Sequence, residues 1–159
     1  MQERCPICGR KIKEGSDQCK ACKSSPDEKL VAEMCHATHI VNFMVKPYVN
    51  VLLTNRRLLV FEDLSGVGAE AGSQGGLVGR LVGAAADKIV SNSLGLNGTM
   101  KVAIPLADVV RAESKEVSKG REQSTHVSIH LQSGKTHKFG ADPFSANEFL
   151  PALLSALHT

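Results

Sequence analysis

Val49-Asn50-Val51-Leu52-Leu53-Thr54, then Asn55-Arg56, then Arg57-Leu58-Leu59-Val60-Phe61 is the stretch that decides the fold. Two β-rich apolar runs separated by a short polar pair read as a hairpin of two buried strands. The pattern continues on both sides. Leu30 to Met34 and Ile40 to Val45 are apolar, β-rich stretches that read as strands upstream. Downstream, strands are expected at Met100–Ile104, Val109–Val117, Thr125–Leu131 and Lys135–Phe139, with Ser133-Gly134 turning the last two. The chain closes in a helix. Asp142 is a good N-cap, Pro143 suits the first helical position, and Phe144, Phe149, Leu150, Leu153, Leu154 and Leu157 supply an apolar face. Pro151 lies inside that face and is expected to kink the helix or divide it in two.

Many short antiparallel strands closed by one helix describe a mainly β (α+β) fold, a small barrel or bent sandwich with a helical plug. Leu53-Thr54-Asn55-Arg56-Arg57-Leu58 followed by Leu59-Val60-Phe61 resembles the signature hairpin of the GRAM and bacterial pleckstrin-homology-like domains. Ile104-Pro105-Leu106-Ala107-Asp108-Val109 is similar to the strand and turn that follow in that family, and Val127-Ser128-Ile129-His130-Leu131 with Gly134, Phe139 and the last helix continues the order. The resemblance spans about residues 28 to 158 and sets a PH/GRAM-like domain at 25–159. It implies a binding scaffold without catalytic chemistry of its own, some relatives binding phosphoinositides and others proteins. The lipid-binding loop of the eukaryotic version gathers several Lys and Arg, whereas the region near Val45-Lys46-Pro47-Tyr48 offers one lysine. Arg56 and Arg57 are the residues of the hairpin able to meet a phosphate or a partner; a turn arginine paired to a carboxylate is the plainer reading.

Residues 1–24 carry a separate signal. Cys5-Pro6-Ile7-Cys8 and Cys19-Lys20-Ala21-Cys22 are two Cys-x-x-Cys pairs with ten residues between them. Each pair sets two sulfurs on one tight turn, and two such turns supply the four tetrahedral thiolates that zinc prefers. The segment resembles the small zinc-ribbon family, with Gly9 after the second cysteine where the turn needs positive φ. It departs from that family at Gln18, where an aromatic is usual, and at Lys23, where a second glycine is common, so a looser second turn is expected. Cys5, Cys8, Cys19 and Cys22 are thus expected to hold a structural Zn2+; two disulfides are the alternative. Four thiolates leave no open position for a reacting water. The tip between Gly9 and Gln18 mixes Arg10, Lys11 and Lys13 with Glu14 and Asp17 and has no aromatic for base stacking, which disfavours nucleic acid. Lys23 to Glu28 is polar, contains Pro26, and reads as a linker.

Glu62 to Gly98 departs from the compact family pattern, an insertion at about 64–98. Its first part is rich in Gly, Ala and Ser. From Leu77, Val78, Leu81 and Val82 onward it reads as a helix, with Gly79 and Gly83 beside the apolar stripe. A glycine row fits close approach of a second element. Docking on the chain's own barrel, pairing with a second copy or a protein partner, and weak contact with a membrane surface remain open for it.

The composition is that of a globular chain, 42% apolar and 22% charged, with a formal charge of +3 over 159 residues. No signal peptide is expected at the start and no run reaches the roughly 18 apolar residues of a membrane span. Metal-type cysteine spacing argues for a reducing, cytoplasmic setting. Enzyme readings are weak. Cys35-His36 on a regular strand point to opposite faces, and His130 and His137 face each other only if the Ser133-Gly134 loop has two residues. The expected function is a non-enzymatic adaptor that binds an unidentified protein partner or itself. A peripheral, anionic-lipid-binding protein using the barrel and inserted helix is the first rival, and a nucleic-acid-binding ribbon the second.

Overall fold

The computed structural model describes residues 3–63 and 98–159. The readings placed on Leu77, Val78, Gly79, Leu81, Val82 and Gly83 lie outside the described residues. The hairpin forms as read. β2 (Tyr48–Thr54) and β3 (Arg57–Glu62) pair antiparallel with Leu53 opposite Leu58 and Val51 opposite Val60. β1 (Leu30–His39) lies on one side of them and β4 (Met100–Pro105) on the other. A single 3-10 turn at Leu106–Asp108 leads into β5 (Val109–Lys119), β6 (Glu122–Leu131) and β7 (Thr136–Ala141). The seven strands of the described residues make one antiparallel sheet in the order β4-β3-β2-β1-β7-β6-β5.

Ile104 of β4 and Val109 and Ala112 of β5, from the two edges, meet in one core with the strands between them. The sheet must therefore curl, and α1 (Pro143–Leu157) fills the curl with Ala146, Phe149 and Leu153. Asp142 caps α1 by accepting from the Ser145 N–H at 2.9 Å. Pro151 does not divide the helix. It sits on the exposed side, and the carbonyl that its missing N–H leaves free belongs to Asn147, which is also exposed.

Alternation along the hairpin explains its unbroken apolar run. Val49, Val51, Leu53, Leu58 and Val60 face the inner core. Leu52, Leu59 and Phe61 face the other way, yet are as deeply buried. What covers them is the cysteine-bearing N-terminal segment.

Three local readings need correction. Ile40 to Val45 is a loop, because Asn42 Oδ1 accepts from the Met44 and Val45 N–H groups at 2.8 Å each and folds the chain into a tight turn. Cys35 and His36 do not alternate. β1 carries one extra residue between Met34, opposite Val51, and Ala37, opposite Val49. Met34 and Ala37 both enter the core, so Cys35 and His36 are both left outside it, with His36 at φ 54. His130 lies opposite Thr136 and His137 opposite Ile129, because the connection from β6 to β7 runs over four residues, 132–135.

Candidate functional site

The first turn of the N-terminal segment closes by a hydrogen bond from Gly9 N–H to the Cys5 carbonyl at 2.8 Å, with Gly9 at φ 72. The second closes identically, from Lys23 N–H to the Cys19 carbonyl at 2.8 Å. Lys23 takes φ 57 to do so. The second turn is as tight as the first, and a lysine carries a conformation that suits glycine. Arg4 and Lys11 form one isolated bridge that brackets the first turn.

These two turns bring all four sulfurs together. Cys5 Sγ lies 3.5 Å from Cys22 Sγ and Cys8 Sγ 3.6 Å from Cys19 Sγ. All four ligand atoms are within 4.8 Å of one another and all four residues are buried. With zinc–sulfur bonds of about 2.3 Å, a tetrahedral site sets its sulfurs about 3.8 Å apart. The donor set therefore fits a four-coordinate thiophilic ion, and four buried cysteines this close can hold one. The cysteines are free rather than paired in disulfides.

Hydrogen bonds from the chain already point at the sulfurs. Ser24 Oγ, itself buried, lies 2.8 Å from Cys22 Sγ and 3.1 Å from Cys5 Sγ. The Ile7 N–H donates to Cys5 Sγ at 3.4 Å. Contact with Cys8, and then Ser24, pulls the Cys22 thiol down to about 5. The same contact and burial push the Cys8 thiol up, and burial pushes up Cys19. Four thiolates packed this closely repel one another, and a bound cation would offset that repulsion.

Polar bonds fasten this centre to the sheet. Arg57 Nε donates to Glu28 Oε1 at 2.8 Å, its Nη2 to Oε2 at 3.1 Å, and Nη2 also to the Cys22 carbonyl at 2.6 Å. Thr54 Oγ1 donates to the same Glu28 Oε1 at 2.7 Å. Burial opposes the charge on Glu28, but Arg57 and Thr54 outweigh it and leave its carboxyl below the usual range. Arg57 is held further toward its charged form, first by Glu28. Residues 23–28 are thus no free linker, since Ser24 and Glu28 are buried. Arg56, the other candidate of the hairpin, pairs with Asp27 at the surface.

A second feature is the loop of residues 40–47. Phe43 is 88% exposed and Met44 84%, with Val41, Val45 and Tyr48 exposed around them. Lys46 Nζ sits 5.8 Å from the Phe43 ring centre. Behind the loop, the outer face of β5, β6 and β7 carries His126, whose proton affinity is lowered by burial and by Lys138, Lys46 and Lys115. A shallow groove there is lined by Lys46, Lys119, His126 and Gly140, among others.

Other reactive side chains have structural partners. His36 Nδ1 lies 2.8 Å from Asp63 Oδ2, and the His36 N–H donates to Asn50 Oδ1 at 2.9 Å. Burial, then Glu33 and Asp63, push the Cys35 thiol to about 11, far from a nucleophile's range. His130 bonds Glu113 and Thr136, while His137 bonds His39 at 3.3 Å beside the stacked Phe139 ring. Ser24, Glu28, Phe43 and Met44 were not singled out by sequence reasoning. For the loop there was a usable signal, an aromatic and a methionine beside Asn42 and Pro47.

No protein-family model matches the chain, and no curated protein matches it. Among solved structures, the crystal structure of an N-terminally truncated linker-DH/PH unit of p115-RhoGEF is similar over 83% of this chain and 30% of that one, with 13% identity and a TM-score of 0.47. This chain spans less than a third of that chain, and a likeness at that score carries no functional weight.

Proposed function

We propose that the chain is a non-enzymatic interaction protein, a pleckstrin-like sheet buttressed by a structural zinc ribbon, which makes its contact through the 40–47 loop. The strand order, the single terminal helix and the hairpin motif support the pleckstrin-like assignment. The thiolate geometry supports zinc, held by Cys5, Cys8, Cys19 and Cys22 with no open position for chemistry. A reducing, cytoplasmic setting agrees with a thiolate centre.

One observation carries the contact surface: Phe43 and Met44 stand 88% and 84% exposed on a hydrogen-bonded turn. Large apolar side chains held out in this way mark an interaction site. Lys46 beside them, and Lys115, Lys119 and Lys138 behind, favour an anionic bilayer, with the two apolar side chains entering it and the lysines meeting headgroups. Lys46, Lys115 and Lys138 gather around His126 on a face that also carries Glu113, Glu122 and Asp142, so charge density is read and one inositol headgroup is not. A protein partner is the second reading, favoured by the fixed shape of the turn.

Vesicle co-sedimentation tests this. The wild-type chain is expected to bind phosphatidylserine-containing vesicles and not neutral ones, and the pair Phe43→Ser with Met44→Ser to lose binding at unchanged stability. Absence of binding to both vesicle types sinks the membrane reading and leaves the protein partner. Binding that survives the double substitution removes the loop from either.

A further inference from the structure

We infer that metal occupancy of the four-cysteine centre controls whether the outer face of β2 and β3 is covered, so that residues 3–24 act as a metal-held latch over an apolar surface. The inference rests on the structural-zinc reading above. Leu52, Leu59 and Phe61 share one buried cluster with Cys5, Ile7, Cys8, Cys19 and Cys22, while the inner core of the sheet is a separate cluster. Ile12, Ala21 and Met100 pack around its edge. The occupant of this face is therefore named: it is the N-terminal segment of the same chain.

That segment has little to hold its shape apart from the centre. Its buried apolar residues are the four cysteines and Ile7, and its regular backbone pairing is one isolated bridge. A piece this small does not keep a fold by burial alone, so ligand release costs it the geometry that fits the sheet. The polar fastening is tied to the same geometry. Arg57 reaches the Cys22 carbonyl, which lies at the second ligand turn, and Ser24 bridges Cys22 and Cys5. Loss of the turn removes the third bond of Arg57 and the packing on Leu52, Leu59 and Phe61 together. The inner core of strands and α1 contains no cysteine ligand, so it survives the release. Metal loss thus swaps a closed outer face for three exposed large apolar side chains, a surface large enough to recruit a partner.

The test uses the full chain with Met100→Trp, a substitution at the rim of the cluster in a sequence that has no tryptophan of its own. Metal is removed with a chelator and its content followed by elemental analysis, and cobalt(II) is substituted to report thiolate ligation by its charge-transfer absorption. The expected result is a red shift of tryptophan emission and a gain of anilinonaphthalene-sulfonate binding on metal removal, reversed by zinc, with the far-ultraviolet strand signal retained. Arg57→Lys is expected to keep full metal content and, with zinc present, not to bind the dye; dye binding by this variant at full zinc content overturns control by the metal. Metal-free chain with unchanged emission and no dye binding overturns the latch while leaving the zinc centre intact. Loss of the strand signal on metal removal also overturns it, since the metal then holds the whole fold. A chain that takes up neither zinc nor cobalt overturns the zinc reading itself.

Discussion

Replacing Arg57 by alanine leaves Glu28 as a carboxylate 3% exposed whose remaining side-chain donor among the described residues is the Thr54 hydroxyl. Arg57 supplies two of the three side-chain hydrogen bonds to that carboxylate and one to the Cys22 carbonyl. Breaking a buried ion pair by removing one partner costs about 3–5 kcal/mol, because the other charge stays desolvated. The Arg57 side chain is 17% exposed, which places the expected loss at the low end, about 3 kcal/mol. About half of that is the stranded carboxylate, so adding Glu28→Gln to Arg57→Ala is expected to recover that half, leaving about 1.5 kcal/mol for lost hydrogen bonds. Urea unfolding at neutral pH with zinc present measures all three variants. A loss under about 1 kcal/mol for Arg57→Ala, the range of an exposed pair, would refute the view that this bridge is a desolvated fastening between the N-terminal segment and the sheet.

Other outcomes follow from particular contacts. Lys23→Gly removes a side chain from a residue at φ 57 and is expected to stabilise the chain by about 0.5–1 kcal/mol; a loss of stability would mean that the Lys23 side chain makes a contact worth more than the strain. His39 and His137 share one hydrogen bond where β1 meets β7 through only two residue pairs, Thr38 with Gly140 and His39 with Phe139. Burial first, and Lys135 second, lower the proton affinity of both rings, so the unfolded chain binds more protons than the folded one as pH falls. The folded state is expected to lose stability as pH drops below about 6.5, and His137→Phe to flatten that slope; a midpoint of urea unfolding that rises between pH 7.5 and 5.5 contradicts this.

The strands, their order along the chain and the capped terminal helix could be read because their signals are local. Val49 to Phe61 needs only its own residues to declare a buried hairpin, and Asp142-Pro143 its own to start a helix. What could not be read depends on distant partners or on one added residue. Leu52, Leu59 and Phe61 signal burial on a second face, but nothing near them in sequence names a cover supplied by residues 3–24. The bulge at Cys35-His36 puts a histidine at positive φ, with no glycine to announce it. Ile40 to Val45 has strand composition, and the local bonds of Asn42 override it. The cysteine spacing identified the four sulfurs that meet, whereas Ser24 and Glu28 became visible only as buried partners of Cys22 and Arg57.

The most direct test of the account is native mass spectrometry of the full chain combined with thiol titration. The expected result is the mass of one bound zinc per chain and reaction at a single accessible thiol, Cys35, with the other four cysteines released only when the metal is stripped. A metal-free mass with all five thiols reactive, or a mass lowered by disulfide formation, would contradict it.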